Sequence, residues 1–129
     1  MRAVVIDDDA DFVAVMREAL ELAGVESEVS TDPDAAFELV LQTLPDLVTL
    51  DIRMRGSLTG LSILERIRAH PKTAEIPIII CTGLALRDVH LPVPTYRVRV
   101  ITKPFDLQKL LKVVRAVTAP QKPRRTEAS

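Results

Sequence analysis

Ala3-Val4-Val5-Ile6-Asp7-Asp8, Leu47-Val48-Thr49-Leu50-Asp51, Ile78-Ile79-Ile80-Cys81-Thr82 and Val98-Arg99-Val100-Ile101-Thr102-Lys103-Pro104 share one plan: an apolar run of strand length that stops at a polar residue. Runs that are apolar almost throughout suit strands covered on both faces, as in a parallel sheet. If the four are parallel, their polar ends lie on one edge, and the carboxyl edge of an open parallel sheet is where ligands bind. Three carboxylates, a hydroxyl and an ammonium gathered there point to a divalent cation and a phosphoryl group.

Between these runs the apolar period changes to that of a helix. Phe12, Val15, Met16, Ala19, Leu20 and Ala23 follow helical spacing, with Gly24 as a stop. Val25 to Ser30 alternates, as a strand with one solvated face does. Asp32 can cap a helix that starts with Pro33, and Ala36, Leu39, Val40 and Leu44 form its stripe before Pro45 ends it. Leu61, Leu64 and Ile67 mark a third helix, ended before Pro71. Leu84 to Leu91 has room for two helical turns at most, because Pro92 and Pro94 forbid more. Leu107, Leu110, Leu111, Val114 and Val117 predict a last helix. Strand and helix thus alternate five times, which implies an α/β fold with helices on both faces of a parallel sheet. Right-handed crossovers make it doubly wound. The expected architecture is flavodoxin-like: five parallel strands in the order 2-1-3-4-5, with a shortened fourth helix.

The chain has 129 residues, 47% apolar and 27% charged, which fits one folded domain with a real core. A net charge of -1 carries no nucleic-acid footprint, and no apolar run approaches the ~20 residues that cross a bilayer. The single cysteine, Cys81, cannot form an internal disulfide, which fits a reducing cytoplasm. Residues 1–118 are expected to form the domain, and residues 119–129, polar and with two prolines, a disordered tail. His70 and His90 sit beside prolines at a helix end and in a loop, with no partner motif, and read as solvated.

In the 2-1-3-4-5 order the first and third strands are neighbours, so Asp7, Asp8 and Asp51 would meet. Two unit charges ~4 Å apart repel by about 4 kcal/mol at an effective dielectric of 20. Lys103 alone cannot offset three of them, so either a pKa rises or a cation binds. Oxygen-only ligands with room for water suit Mg2+. Read singly, each piece is weak, since an acidic triplet at a helix entry also serves the helix dipole.

Over residues 2–118 the sequence resembles the receiver domain of two-component response regulators. The resemblance rests on Val4-Val5-Ile6-Asp7-Asp8-Asp9, Leu47-Val48-Thr49-Leu50-Asp51-Ile52-Arg53-Met54, Pro77-Ile78-Ile79-Ile80-Cys81-Thr82-Gly83 and Lys103-Pro104-Phe105. It implies that Asp51 is the phosphoacceptor, taking a phosphoryl group from a sensor histidine kinase or a phosphotransfer protein. It implies Asp8 as a direct Mg2+ ligand, Asp7 as one acting largely through water, and the Arg53 backbone carbonyl as another. Lys103 would pair with Asp51 and then with the phosphoryl oxygens. Thr82 would turn its hydroxyl inward onto the phosphoryl group, Gly83 would leave the path open, and the Lys103-Pro104 bond would be cis. The output would be a switch in binding to a downstream protein, without direct contact to nucleic acid or membrane, in the cytoplasm.

Four departures from the family pattern bear on that switch. Arg55 stands where proline is usual, and the loop from Asp51 to Gly60 carries one extra residue. Arg53 and Arg55 put cations beside the acidic pocket, either in it as ion-pair partners or turned to solvent. Val100 occupies the place of the switch aromatic, with Tyr96 near but out of register. The fourth helix is cut short. Two rival functions follow from the sequence: a pseudo-receiver that binds a partner without phosphorylation, or a small aspartate-nucleophile phosphatase using the Asp-x-Asp pair Asp7 and Asp9.

Overall fold

The computed structural model describes residues 1–119; all of the expected tail except Ala119 lies outside the described residues. The elements run β1 (Arg2–Ile6), α1 (Ala10–Leu22), β2 (Glu26–Ser30), α2 (Pro33–Thr43), β3 (Leu47–Leu50), α3 (Thr59–Ala69), β4 (Ile78–Thr82), a 3-10 turn (Leu86–Asp88), β5 (Val98–Thr102) and α4 (Leu107–Thr118). The five strands are parallel in the order β2-β1-β3-β4-β5, as the run of alternating elements predicts. No helix among the described residues is long and apolar enough to cross a membrane.

The period of two along each strand divides the core. Val4, Ile6, Val48, Leu50, Ile78 and Ile80 join Ala36, Phe37, Val40, Ile63, Leu64 and Ile67 on the face covered by α2 and α3. Ala3, Val5, Leu47, Ile79, Cys81 and Ile101 join Val13, Met16, Leu20, Leu110, Val114 and Val117 under α1 and α4. Helices α1, α2 and α4 begin at side-chain caps, while α3 follows Leu58 without one. Asp9 accepts from the Asp11 and Phe12 N–H groups, Asp32 from Asp34, and Asp106 from Lys109. Asp106 is thus a helix cap.

The fourth crossover is reduced further than two helical turns. Only Leu86–Asp88 coils, as a 3-10 turn whose first residue has no side-chain cap, and Leu86 is exposed. The cause is local: Pro92 and Pro94 stop propagation, and a three-residue turn has neither length nor cap to persist as α-helix. Leu84, Val89, Leu91 and Val93 still pack on the α2–α3 core, so the segment covers the sheet without being a helix.

Candidate functional site

Register brings the polar strand ends together. Ile6 pairs with Leu50, so Asp7 and Asp51 follow as neighbours, and Thr82 pairs with Thr102, directly before Lys103. Asp7 continues the parity of Ala3 and Val5, Asp51 that of Leu47, and Lys103 that of Ile101. All three therefore belong to the α1–α4 face, where they converge. The Asp51 N–H donates to the Ile6 carbonyl (3.0 Å), the Asp7 N–H to Ser30 (3.2 Å) and the Lys103 N–H to Thr82 (2.6 Å), which locks the strand ends.

One carboxylate oxygen from each of Asp7, Asp8 and Asp51 lies within 4.8 Å of the others. Asp7 is 1% and Asp51 8% exposed, while Asp8 faces solvent. Lys103 reaches in from β5: its Nζ lies 2.7 Å from Asp7 Oδ2 and 3.3 Å from Asp51 Oδ2. The lysine thus serves both buried acids, Asp7 more closely. The Asp9 N–H donates to Asp7 Oδ1 and the Arg53 N–H to Asp51 Oδ1, each at 3.0 Å. All donors around the opening are hard oxygens, and the exposed Asp8 leaves a path for a hydrated ion, so the group fits Mg2+.

Burial pushes the Asp51 carboxyl above its ordinary pKa. The Arg53 N–H and the Lys103 charge pull it back, and Asp7 adds to the rise. Burial alone would lower Lys103, but the hydrogen bond to Asp7 and the charges of Asp51 and Asp7 outweigh it, and the ammonium is held above its ordinary value. The site therefore keeps its ammonium at neutral pH.

Thr82 is fully buried at the end of β4, and its Oγ1 accepts the Leu84 N–H at 3.2 Å. Gly83 is exposed, and a Cβ built there meets nothing within 4 Å. The Lys103-Pro104 bond is cis, as the resemblance implies. Val100 is half-buried on the α2–α3 side of the sheet, while Tyr96 is half-buried in the segment before β5.

The two arginines settle differently from each other: Arg53 is turned to solvent, one of the two expectations, and Arg55 takes a third course. The Arg55 guanidinium is neither in the acidic pocket nor free. It lies 3.3 Å from Asp32 Oδ1 and 3.9 Å from Asp34 Oδ2, at the start of α2. Its backbone N–H donates to Asp8 Oδ2 at 2.7 Å. Arg53 is exposed and makes no ion pair among the described residues. Asp9, the second member of the Asp-x-Asp pair, spends its side chain on capping α1 and does not join Asp7.

Two contributors escaped the sequence reading. Phe12, read there only as a helix-core position, carries the Lys103 ammonium over its ring at 3.9 Å from the centroid, and Phe105 meets that ring edge-on at 5.9 Å. Gly60 lies against the backbone that follows the candidate acceptor: a Cβ there would stand 2.3 Å from the Asp51 carbonyl oxygen and 2.4 Å from the Ile52 Cα. The sequence signal for Gly60 was a lone glycine at a helix entry; the close approach itself depends on how α3 packs.

Comparison with known proteins agrees with this fold. The family model described as the response regulator receiver domain matches residues 3–115. The DNA-binding dual master transcriptional regulator RpaA of Synechocystis sp. is 32% identical over 117 residues, covering 90% of this chain and 48% of its own length. The chain spans about half or less of the length of the curated relatives it matches. Among solved structures, the signal receiver domain of a DNA-binding response regulator from Colwellia psychrerythraea superposes with a TM-score of 0.76 at 26% identity, covering 93% of this chain and 99% of that one. The receiver domain of a sensor histidine kinase from Pseudomonas aeruginosa, solved with magnesium coordinated in its active-site cleft, gives 0.78 at 19% identity, with 92% and 98% covered. With all of the sheet except Arg2 inside the matched segment and the acidic cluster at its carboxyl edge, this chain belongs to the response regulator receiver domain family.

Proposed function

We propose that the chain is the phosphoacceptor of a two-component pathway, taking a phosphoryl group onto Asp51 from a phosphohistidine on a sensor histidine kinase or a phosphotransfer protein. The reading is carried by one observation: Lys103 Nζ stands between the two buried carboxylates of a three-aspartate cluster, 2.7 Å from Asp7 and 3.3 Å from Asp51. An Asp51 carboxylate oxygen attacks phosphorus, the phosphorus–nitrogen bond breaks, and its electron pair stays on the imidazole. Asp7, Asp8, Asp51 and the Arg53 carbonyl would hold Mg2+, which supplies the positive charge that lets a phosphoryl group approach three carboxylates. Lys103, held by Asp7 and by the Phe12 ring, is placed to exchange its Asp51 contact for a phosphoryl oxygen. Thr82 would give up the Leu84 N–H and donate its hydroxyl to the same group, and the exposed Gly83 leaves room for it.

The consequence would be a change in affinity for a downstream protein. With Val100 in place of an aromatic and a single 3-10 turn before β5, that change would not use a ring swinging beside Thr82. The domain itself is read as binding neither nucleic acid nor membrane, and as cytoplasmic, in keeping with its near-neutral charge and its lone buried thiol. The pseudo-receiver alternative loses one support, since the Arg55 guanidinium pairs with Asp32 and Asp34 and puts no side-chain cation on the pocket acids.

The decisive experiment is incubation with a small acyl phosphate and Mg2+, followed by intact-mass measurement. The expected outcome is a single phosphoryl adduct, absent from Asp51→Asn and lost on chelation of the metal. No adduct on the wild-type chain at any Mg2+ concentration would leave the pseudo-receiver in its place.

A further inference from the structure

We propose that Arg55 is a positioning residue of the cation site: its guanidinium, tied to the start of α2, fixes the backbone N–H that keeps the Asp8 carboxylate turned toward Asp7 and Asp51. The inference rests on the reading of that cluster as a cation site, and it names a residue which the family pattern does not supply.

Asp8 needs holding. It is the one exposed member of the cluster, and with one of its oxygens within 4.8 Å of oxygens on both Asp7 and Asp51 it is repelled by both. A side-chain rotation into water would relieve that repulsion at little cost. Against it stands, among the described residues, one short bond, from the Arg55 N–H to Asp8 Oδ2 at 2.7 Å, charge-assisted because the acceptor is a carboxylate.

That N–H has its direction set from two sides. On one side the loop is pinned by Met54, 1% exposed, and by the reciprocal bonds of Met54 and Ser57, at 2.9 and 3.0 Å. The turn between them places Arg55 at φ +53° and Gly56 at φ +74°. Left-handed backbone is disfavoured for any residue that carries a Cβ, arginine included; the closed Met54–Ser57 turn imposes it here, and the side-chain contacts of Arg55 add to that hold. On the other side the Arg55 side chain crosses to α2, where Asp32 and Asp34 receive it at 3.3 and 3.9 Å. Asp32 is itself fixed as the cap of α2, accepting the Asp34 N–H at 2.9 Å. The loop is thus leashed to a rigid helix start, and the leash ends at the amide that Asp8 accepts.

An incidental surface ion pair would have no bearing on the metal, and two measurements on the full chain separate the cases. The first needs no metal. In Asp32→Asn/Asp34→Asn the asparagine still caps α2, while the guanidinium loses its charged partners. Hydrogen-exchange protection of the Arg55 amide is expected to fall by about threefold or more. Unchanged protection would overturn the proposal whatever the metal does. The second is a Mg2+ titration of Arg55→Gly, followed by amide shifts around the site. Glycine keeps the N–H and suits the left-handed backbone. Removing a cation near three carboxylates would, by charge alone, tighten Mg2+ binding. Loss of positioning weakens it, by about threefold to tenfold, short of the ~10- to 100-fold of a partner bonded directly to a ligand through its side chain. Equal or tighter binding would overturn the proposal. A wild-type chain that ignores Mg2+, with the Arg55 amide still losing protection in the double variant, would instead remove the cation reading and leave the positioning of Asp8 intact.

Discussion

At the scale of the residue, the acidic cluster sets function against stability. Asp51 is buried beside Asp7, and its carboxyl is held above its ordinary pKa, so the folded chain keeps that proton more tightly than the unfolded chain. Its contribution to stability is therefore neutral below the ordinary pKa of 3.8 and becomes a cost as pH rises through the raised value. Asp51→Asn should melt higher than the wild type at pH 7, and the gap should close as pH falls toward 3.8; a lower melting temperature for the variant at neutral pH would contradict the sign. Two glycines give a matched pair of opposite outcomes. Gly60→Ala must push a Cβ into the Asp51 and Ile52 backbone, and overpacking of this kind costs about 1–3 kcal/mol. Gly83→Ala meets nothing within 4 Å and has no left-handed backbone to strain, so its urea midpoint should equal that of the wild type. The polar strand ends were legible because each followed an apolar run directly. Phe12 beneath Lys103 was not, since a phenylalanine on the apolar stripe of a helix looks the same whether or not a cation lies over its ring.

At the scale of the element, the loop from Arg53 to Leu58 departs most from the family pattern. Its extra residue reads in the sequence only as added length. In the structure it becomes a turn closed on itself and anchored by Met54, with isolated bridges to Ser57 and Leu58. Met54 is as buried as the strand residues. Met54→Ala should therefore cost about 2–5 kcal/mol, as at a core position, and denaturant unfolding checks it; a cost near zero would mean the turn holds without its anchor. The start of α2 was readable from Asp32 before Pro33, whereas the caps at Asp9 and Asp106 emerge only in the structure, because a lone acidic residue before an apolar stripe does not announce its partner. The destination of the Arg55 side chain was not, because Asp32 and Asp34 are distant in sequence and meet it only once β1, β2 and β3 lie side by side. The fourth crossover shows the limit from the other direction: its prolines fixed where coiling must stop, but not that three residues would be all that coiled.

At the scale of the whole molecule, alternation of strand and helix was enough to give a doubly wound parallel sheet, and the flavodoxin-like order 2-1-3-4-5 is the one of its common orders that the structure shows. The same alternation put Asp7, Asp51 and Lys103 at one edge of the sheet; that they share the α1–α4 face follows from the parity seen in the structure. What parity cannot tell is how the two faces share the remaining polar groups, and here one thiol has an unplanned use. Cys81, 1% exposed, lies in the layer between β4 and the α1–α4 side, and burial holds its pKa up to about 12. In the native state it offers neither access nor thiolate to an alkylating reagent. As the chain's single cysteine, it becomes a clock for global opening: its labelling rate should rise with urea in step with the unfolding equilibrium and slow whenever a ligand binds the folded form. Rapid labelling in water, independent of urea, would show a local breach beside β4 in place of a door that opens only when everything does.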